Sequence, residues 1–427
     1  MVSEAGTELH TAGHNWAGNL RYAAAEVQEP ATVPELQDLV AGAQKLRALG
    51  SRHSFNRIAD TSGVLVSLER LEPAIEVDPA NMTVTVSGGT RYGTLAAELQ
   101  RQGYALHNLA SLPHISVAGA VATATHGSGD RNGNLATAVA GLELVTADGG
   151  ILTSRRGEPD FDGMVVGLGA LGVVSSLTLD IEPTFPVSQT VFDDLGWDQV
   201  LENFDDVTSS AYSVSLFTDW SGDRIAQAWL KSRTDEEAAP LRNGFFGGTP
   251  AKEPRHPIAG VPGTTCTQQL GVPGPWSDRL AHFRMEFTPS KGDELQSEYL
   301  VPREHAVDAI QAMRRLSHLV TPLLLVSEIR TITADSLWLS PNYGTDSIGL
   351  HLTWRQDQPA VEAVLPVIEA ELAPFGARPH WGKLFDGGAS RLAPLYPRFA
   401  DFKALADRLD PEGKFRNDFL NTKVFGS

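Results

Sequence analysis

The chain has 427 residues, too many for one hydrophobic core, which favours two domains with the first built from discontinuous pieces. Apolar residues make up 42% and charged residues 20%, as in a globular protein, and a formal net charge of −18 without a clustered Lys/Arg block argues against nucleic acid or an anionic membrane surface as partner. A single cysteine, Cys266, excludes an internal disulfide and a thiolate metal cluster; residues 1–19 are polar and unlike a signal peptide, and no stretch approaches the roughly 20 apolar residues of a membrane span, so a cytoplasmic location is expected.

In chain order, Thr32 is placed to cap a helix over residues 34 to about 46, with Pro34 in its first turn and Leu36, Leu39, Val40, Ala43 and Leu46 at helical spacing. Leu46-Arg47-Ala48-Leu49 also reads as a short strand that breaks at Gly50 into the tight polar loop Ser51-Arg52-His53-Ser54-Phe55-Asn56. Small residues in such a loop let backbone N–H groups converge on an anion such as a pyrophosphate and keep His53 beside it, although an ordinary turn with an idle histidine reads the same way. Residues 63–68 form the next expected strand, 74–77 and 83–86 a strand pair turning at Asp78-Pro79-Ala80-Asn81, and 92–102 a helix closed by Gly103.

Residues 108–134 are the second dense region. Ala110-Ser111-Leu112-Pro113-His114-Ile115-Ser116-Val117-Ala118-Gly119 and Thr123-Ala124-Thr125-His126-Gly127-Ser128-Gly129 are small or apolar almost throughout, with no long charged side chain before Asp130 and Arg131. That composition suits a backbone pressed against a flat ligand, or a glycine-rich surface loop. Residues 141–147 alternate as a strand, and Asp148-Gly149-Gly150 turns into Ile151-Leu152. Gly167-Leu168-Gly169-Ala170-Leu171-Gly172 matches the dinucleotide pattern GxGxxG, but residues 173–181 after it read as a strand where the fingerprint needs a helix, so NAD(P) is not expected there.

Pro183 to Pro186 marks a boundary. Beyond it come aromatic-rich strands at 212–217 and 225–230, a Pro/Gly-rich excursion at 245–275, and Arg284-Met285-Glu286-Phe287 and Glu298-Tyr299-Leu300 ahead of a helix over 304–320. These suggest a second α+β domain to about residue 376. The tail returns to loops and helices, and Asp410-Pro411-Glu412-Gly413-Lys414-Phe415-Arg416-Asn417 looks like a terminal turn packing back on the first domain.

Three segments of the second half place polar residues in apolar, strand-like settings. In Ser327-Glu328-Ile329-Arg330-Thr331, Glu328 and Arg330 share one face about 6–7 Å apart. In Ile348-Gly349-Leu350-His351-Leu352-Thr353-Trp354, His351 and Thr353 share a face, and His380-Trp381-Gly382-Lys383 is the third segment. Converging on one cleft, these groups would form a donor–acceptor lattice for a polyhydroxylated substrate. Taken singly, they also fit a structural ion pair, a satisfied core histidine and a solvated lysine. Neither a GxSxG elbow nor HExxH metal spacing is present.

Together Gly50-Ser51-Arg52-His53-Ser54-Phe55-Asn56, the run from Ala110 to Gly119 and Thr125-His126-Gly127-Ser128-Gly129 resemble the vanillyl-alcohol oxidase flavoprotein superfamily (FAD-binding PCMH type), and within it the bacterial alditol oxidases. Glu328-Ile329-Arg330-Thr331, the His351 strand, His380-Trp381-Gly382-Lys383 and Asp410-Pro411-Glu412-Gly413-Lys414-Phe415 extend the resemblance over nearly the whole chain. It implies an α+β, two-domain flavoprotein, with an FAD-binding domain from both chain ends (residues 1–185 and 377–427) and an α+β cap domain with an antiparallel sheet (residues 186–376). It implies FAD attached covalently through His53 at the flavin 8α-methyl group. Relatives with a second bond use cysteine, and the only cysteine here lies in the expected cap. Cofactor contacts are implied for Arg47, Leu49, Gly50, Ser51, Arg52, Ser54, Ala110, Ser111, His114, Ser116, Val117, Gly119, Thr123, His126, Gly127, Ser128, Gly172, Val173 and Val174. Arg52 departs from the family pattern, in which glycine is common before the histidine, and its cation is open to a phosphate or to solvent.

Ser111, Glu328, Arg330, His351 and Lys383 carry over as the substrate and catalytic set. The implied reaction has Lys383, with Arg330, orient and deprotonate the terminal hydroxyl of a polyol such as xylitol or sorbitol while the C1 hydride passes to flavin N5 and Glu328 holds the adjacent hydroxyl. Oxygen then reoxidises the flavin, giving an aldose and hydrogen peroxide; the residue beside flavin C4a that bears on oxygen use is taken as Ala110. No metal is implied, and a monomer is expected. Two alternatives stay open: a sugar-1,4-lactone oxidase or dehydrogenase of the same superfamily, which a substrate panel separates, and a flavin-binding redox sensor without turnover, which anaerobic bleaching by a polyol excludes.

Overall fold

The structure is a computed structural model that describes residues 12–236, 243–285 and 294–426. Three short parallel strands, Glu26–Gln28, Val64–Ser67 and Leu46–Leu49, have Val64–Ser67 in the middle, and the helix Val33–Gly42 crosses between the outer two. The Thr32 hydroxyl accepts from the Glu35 N–H at 3.3 Å, so the helix starts as the sequence suggests. It ends at Gly42 and not near Leu46, because Leu46 pairs with Val64 in the sheet; an apolar residue at that spacing serves a buried strand as well as a helix face.

A five-stranded antiparallel sheet follows, in the order Ile75–Asp78, Thr83–Ser87, Val173–Asp180, Val139–Val145 and Ile151–Arg155. The helix Tyr92–Gln102 closes on Gly103, whose φ of 86° is the left-handed cap that glycine accepts without strain. The glycines at 167–172 lead into a strand, as expected, and the carbonyls of Leu168 and Gly169 accept from the buried Arg47 guanidinium.

Residues 186–379 build a nine-stranded antiparallel sheet. Its order is Thr249–Pro250, Pro186–Gly196, Arg224–Arg233, Ser213–Thr218, Leu324–Ile332, Ser347–Arg355, Glu294–Pro302 and Arg378–Pro379, with Gly274–Pro275 on the edge of Pro186–Gly196. The Pro/Gly-rich excursion thus returns twice to the edge of that sheet. Of the segment Arg284-Met285-Glu286-Phe287 noted ahead of a helix, Glu286 and Phe287 lie outside the described residues. The helix expected at 304–320 is two helices, Ala306–Arg315 and Ser317–Val320, since the Leu316 N–H bonds back three residues to Met313 and tightens the last turn. Ile310 and Met313 of the first helix and Val361, Leu365 and Ile368 of the helix Gln358–Leu372 are buried in the common core.

The tail packs against the first half of the chain. Asp410 accepts from the N–H groups of Lys414 and Phe415, both at 2.8 Å, which shapes the turn. Lys414 then donates to the carbonyls of Val40 and Ala147, each at 2.6 Å, and its own carbonyl accepts from Leu46 N. No helix among the described residues is long and apolar enough to cross a membrane.

Candidate active site

One long cleft is lined by both dense regions of the first half and by one face of the nine-stranded sheet. The first wall begins where the strand Leu46–Leu49 ends. A Cβ at Gly50 would lie 2.5 Å from the Ser116 hydroxyl, so glycine lets this loop close on the second small-residue run, and Ser51 Oγ accepts from Ser116 N at 3.1 Å. Arg52 has a left-handed φ of 64°, and the N–H groups of Arg52, His53 and Ser54 bond to no acceptor among the described residues. Consecutive free N–H groups around a left-handed residue form an anion-binding concavity. The Arg52 side chain does not join it: the guanidinium donates to the Ala12 carbonyl and lies 5.5 Å over the Tyr22 ring.

The His53 ring packs 4.9 Å from the Trp16 ring, and burial, reinforced by His114 and Arg91, pushes its pKa down to about 4. It is therefore a neutral imidazole with one bare ring nitrogen at physiological pH. Further along the groove the main chain presses close: a Cβ at Gly88 would meet the Val174 carbonyl at 2.1 Å, and one at Gly89 the Leu68 carbonyl at 2.0 Å. A narrow groove walled by glycine, with free N–H groups and a neutral histidine at its mouth, fits a flat dinucleotide cofactor carrying a pyrophosphate.

Of the cofactor contacts read from the sequence, Arg47, Leu49, Gly50, Ser51, Arg52, His53, Ser54, Ala110, Ser111, Ser116, Gly119, Thr123, His126, Gly172 and Val174 line the cleft. His114, Val117, Gly127, Ser128 and Val173 do not reach its surface. Val117 and Val173 are fully buried in the core, and neighbours occupy the other three. His114 Nε2 lies 2.7 Å from the Met285 carbonyl, a Cβ at Gly127 would meet the Leu109 carbonyl at 2.5 Å, and the Ser128 hydroxyl donates to the Val214 carbonyl. Arg47 is fixed by the carbonyls of Ile58, Leu168, Gly169 and Phe415, so its side chain holds the scaffold together.

The opposite wall is a row across the sheet. Register sets Phe217 beside Glu328, Glu328 beside His351, and His351 beside Glu298. Glu298 is 1% exposed and gathers the cations: Oε1 accepts from Arg330 Nη2 at 2.6 Å, Oε2 from Lys383 Nζ at 2.6 Å, and His126 Nε2 lies 3.3 Å from Oε1. Lys383 Nζ is also 2.6 Å from His351 Nδ1, whose other ring nitrogen is 3.0 Å from the Thr353 hydroxyl. Burial, then the Lys383 charge, pushes His351 down to about 4, so the neutral ring accepts from lysine at Nδ1 and donates to Thr353 at Nε2. Burial by itself would raise the Glu298 pKa, but Arg330 and Lys383 hold it well below the usual carboxylate range. For Lys383 burial lowers the pKa, with Glu298 opposing. Two carboxylates and two cations make this buried cluster neutral overall, the condition under which charges survive out of water.

The sheet thus brings together Glu328, Arg330, His351 and Lys383, and Ser111 lines the cleft with them. Lys383 reaches the site through a stitched loop. Phe55 N donates to the Gly382 carbonyl at 2.8 Å, and Asn56 Nδ2 donates to the carbonyls of Trp381 and Lys383 at 2.8 and 2.6 Å. The histidine loop and the lysine loop are therefore one rigid unit.

Sequence reasoning missed Glu298, Asn56 and His282. Glu298 had a signal, since Glu294, Gln296 and Glu298 alternate on the cleft face of their strand. Asn56 and His282 carry none, because the partners of Asn56 lie more than 300 residues away and His282 itself sits on an irregular turn.

A model of an FAD-binding domain matches residues 24–155, and a model of D-arabinono-1,4-lactone oxidase matches residues 288–423. Over 424 residues the chain is 51% identical to alditol oxidase from Streptomyces sp. (strain IKD472 / FERM P-14339), covering 98% of this chain and 100% of that one. It is 31% identical over 433 residues to L-gulono-1,4-lactone dehydrogenase from Mycobacterium tuberculosis, covering 96% and 98%. Its fold is also that of the crystal structure of cholesterol oxidase from B. sterolicum, with a TM-score of 0.78 over 97% of this chain and 96% of that one at 16% identity.

Proposed function

The chain belongs to the family of FAD-dependent flavoproteins that contains alditol oxidase, and from that footing we propose that it oxidises the terminal carbinol of a polyol such as xylitol or sorbitol, with oxygen as the final acceptor. The observation that supports this most is the convergence of Glu328, Arg330, His351 and Lys383 on the cleft that the Gly50–Ser54 loop opens. Bound FAD supplies the two-electron acceptor for the carbinol hydride and returns the electrons to oxygen, so that an aldose and hydrogen peroxide leave. The free N–H groups at Arg52, His53 and Ser54 would hold its pyrophosphate, and the neutral His53 ring would offer a nitrogen for a covalent bond to the 8α-methyl group.

Lys383 and Arg330 orient the terminal hydroxyl, and Lys383 takes its proton in the neutral-amine form that burial favours, after giving up its own ammonium proton. Burial weakens the ammonium's hold on its own proton, and ionised Glu298 stabilises the cation that forms. Glu328 accepts from the adjacent hydroxyl. A polyol whose hydroxyls miss these partners leaves buried polar groups unpaired, which gives stereochemical selectivity. The division that fits this reading is an FAD-binding domain of residues 1–185 and 377–427 with a cap of residues 186–376, which holds all of the nine-stranded sheet but its edge strand Arg378–Pro379.

Oxidation of an aldonolactone is the second reading, favoured by the match of residues 288–423 to the D-arabinono-1,4-lactone oxidase model. A panel of xylitol, sorbitol and 1,4-lactones with peroxide readout tests both. Polyol-dependent peroxide is expected, and turnover of lactones alone contradicts the proposal.

A further inference from the structure

A further buried cation, Lys231, lies close to the cleft and has no part in the steps above. It sits on the strand Arg224–Arg233, is 1% exposed, and donates from Nζ to the carbonyls of Leu280 and Ala281 at 2.5 and 2.9 Å. Carbonyls alone are poor compensation for a buried ammonium. Burial pushes its pKa down to about 7, with Glu328 and Cys266 opposing. What the lysine secures is a turn. The Ala281 carbonyl also accepts from Thr267 Oγ1 at 2.8 Å, and the N–H groups of His282 and Phe283 donate to the Ser111 carbonyl at 3.1 and 3.3 Å. The turn therefore bridges the strand bearing Lys231 and the small-residue wall of the cleft.

His282 is the working end of that turn. Its Nε2 is 2.8 Å from Glu328 Oε1, and its ring is boxed by Phe217 and Trp229 with centroids 5.7 and 5.2 Å away. Burial, then the Lys231 charge, lowers its pKa, so the ring is neutral and carries its proton on the nitrogen facing the carboxylate. No other side chain hydrogen-bonds Glu328 among the described residues; the Arg330 Nε stands 3.7 Å off. The direction of the carboxylate in the cleft is thus set by one imidazole.

We propose that Lys231 and His282 are positioning residues for this reaction: Lys231 pins the turn at residues 280–283, and His282 occupies one oxygen of Glu328 so that the other is aimed at a substrate hydroxyl. This rests on the reading in which Glu328 accepts from that hydroxyl. A double-substitution cycle on the flavin-loaded enzyme with xylitol tests it. His282→Phe is expected to raise KM about tenfold with kcat within about twofold, the size of one charge-assisted hydrogen bond. His282→Gln, which keeps an N–H donor, recovers most of that loss. In a Glu328→Gln background, His282→Phe adds less than about twofold, because groups acting as a unit are non-additive. Lys231→Met reproduces part of the KM rise, and Lys231→Gln, which still donates to the two carbonyls, restores it.

Fully multiplicative effects of His282→Phe and Glu328→Gln overturn the proposal, as does an equal KM for His282→Phe and His282→Gln. An unchanged KM in Glu328→Gln alone overturns the underlying reading of Glu328 by a different signature. Flavin absorbance and thermal unfolding of each variant separate lost fold from lost aim, and the His282 arm decides the outcome if Lys231→Met yields no folded holoenzyme.

Discussion

On one side of the cleft, the loop from Gly50 to Ser54 meets its contents with main chain: unbonded N–H groups, a left-handed residue, and glycines whose Cβ atoms would collide with neighbouring backbone or with Ser116. On the other side, the sheet meets its contents with buried charge, set in a row by strand register and neutralised around Glu298. The first arrangement suits a cofactor of fixed shape, recognised by close approach of the backbone. The second suits a flexible polyol, recognised hydroxyl by hydroxyl through oriented donors and acceptors. Their tolerance to substitution should differ accordingly, and four outcomes sharpen or break that contrast.

The largest concerns His53. If the backbone wall ends in a covalent bond, acid-precipitated protein stays yellow and His53→Ala releases all of its flavin to the supernatant. Colour lost from the native protein on precipitation would break that half of the contrast. On the charged wall, Glu298→Gln leaves Arg330 and Lys383 buried without their shared carboxylate, a loss of about 3–5 kcal/mol in unfolding free energy by denaturant titration. A loss under about 1 kcal/mol would mean that the row is not held by charge pairing.

Next comes pH. His351 has a folded pKa of about 4 against 6.5 when free, so the unfolded chain takes up a proton first. Its contribution is therefore fully present above 6.5 and is lost as pH falls toward 4. Glu298, depressed below 4.5, acts with the same sign at lower pH: its contribution is present above 4.5 and is lost as pH falls through its folded value. Between pH 7 and 5 the protein should lose about 2 kcal/mol through His351, and His351→Gln should flatten that slope. The smallest effect is at the stitch between the walls: Asn56→Ala removes donors to the Trp381 and Lys383 carbonyls and should cost about 1 kcal/mol with a fall in kcat. An unchanged kcat would show that the lysine loop holds itself.

The same contrast explains what was legible in the sequence. The backbone wall announces itself in one dimension, because close approach demands consecutive small residues, and both runs at 50–56 and 110–129 were visible as such. Even so, composition could not tell residues that face the cleft from Gly127 and Ser128, which brace the wall from behind. The charged wall is written in register. Glu328 with Arg330, and His351 with Thr353, showed through period-2 spacing, but Glu298 becomes central only when three strands align. The helix misjudged past Gly42 and the helix broken at Leu316 are local errors of the same kind, where a pairing partner or a tightened turn overrides spacing.

The claim that both walls serve one reaction is tested most directly by anaerobic addition of xylitol to the purified holoenzyme, followed by its visible spectrum. The account predicts full bleaching of the flavin band in the native protein and a rate at least about 10²-fold lower in Lys383→Met with its flavin retained. A native flavin that stays oxidised with polyols, or a Lys383→Met variant that bleaches at the native rate, would contradict it.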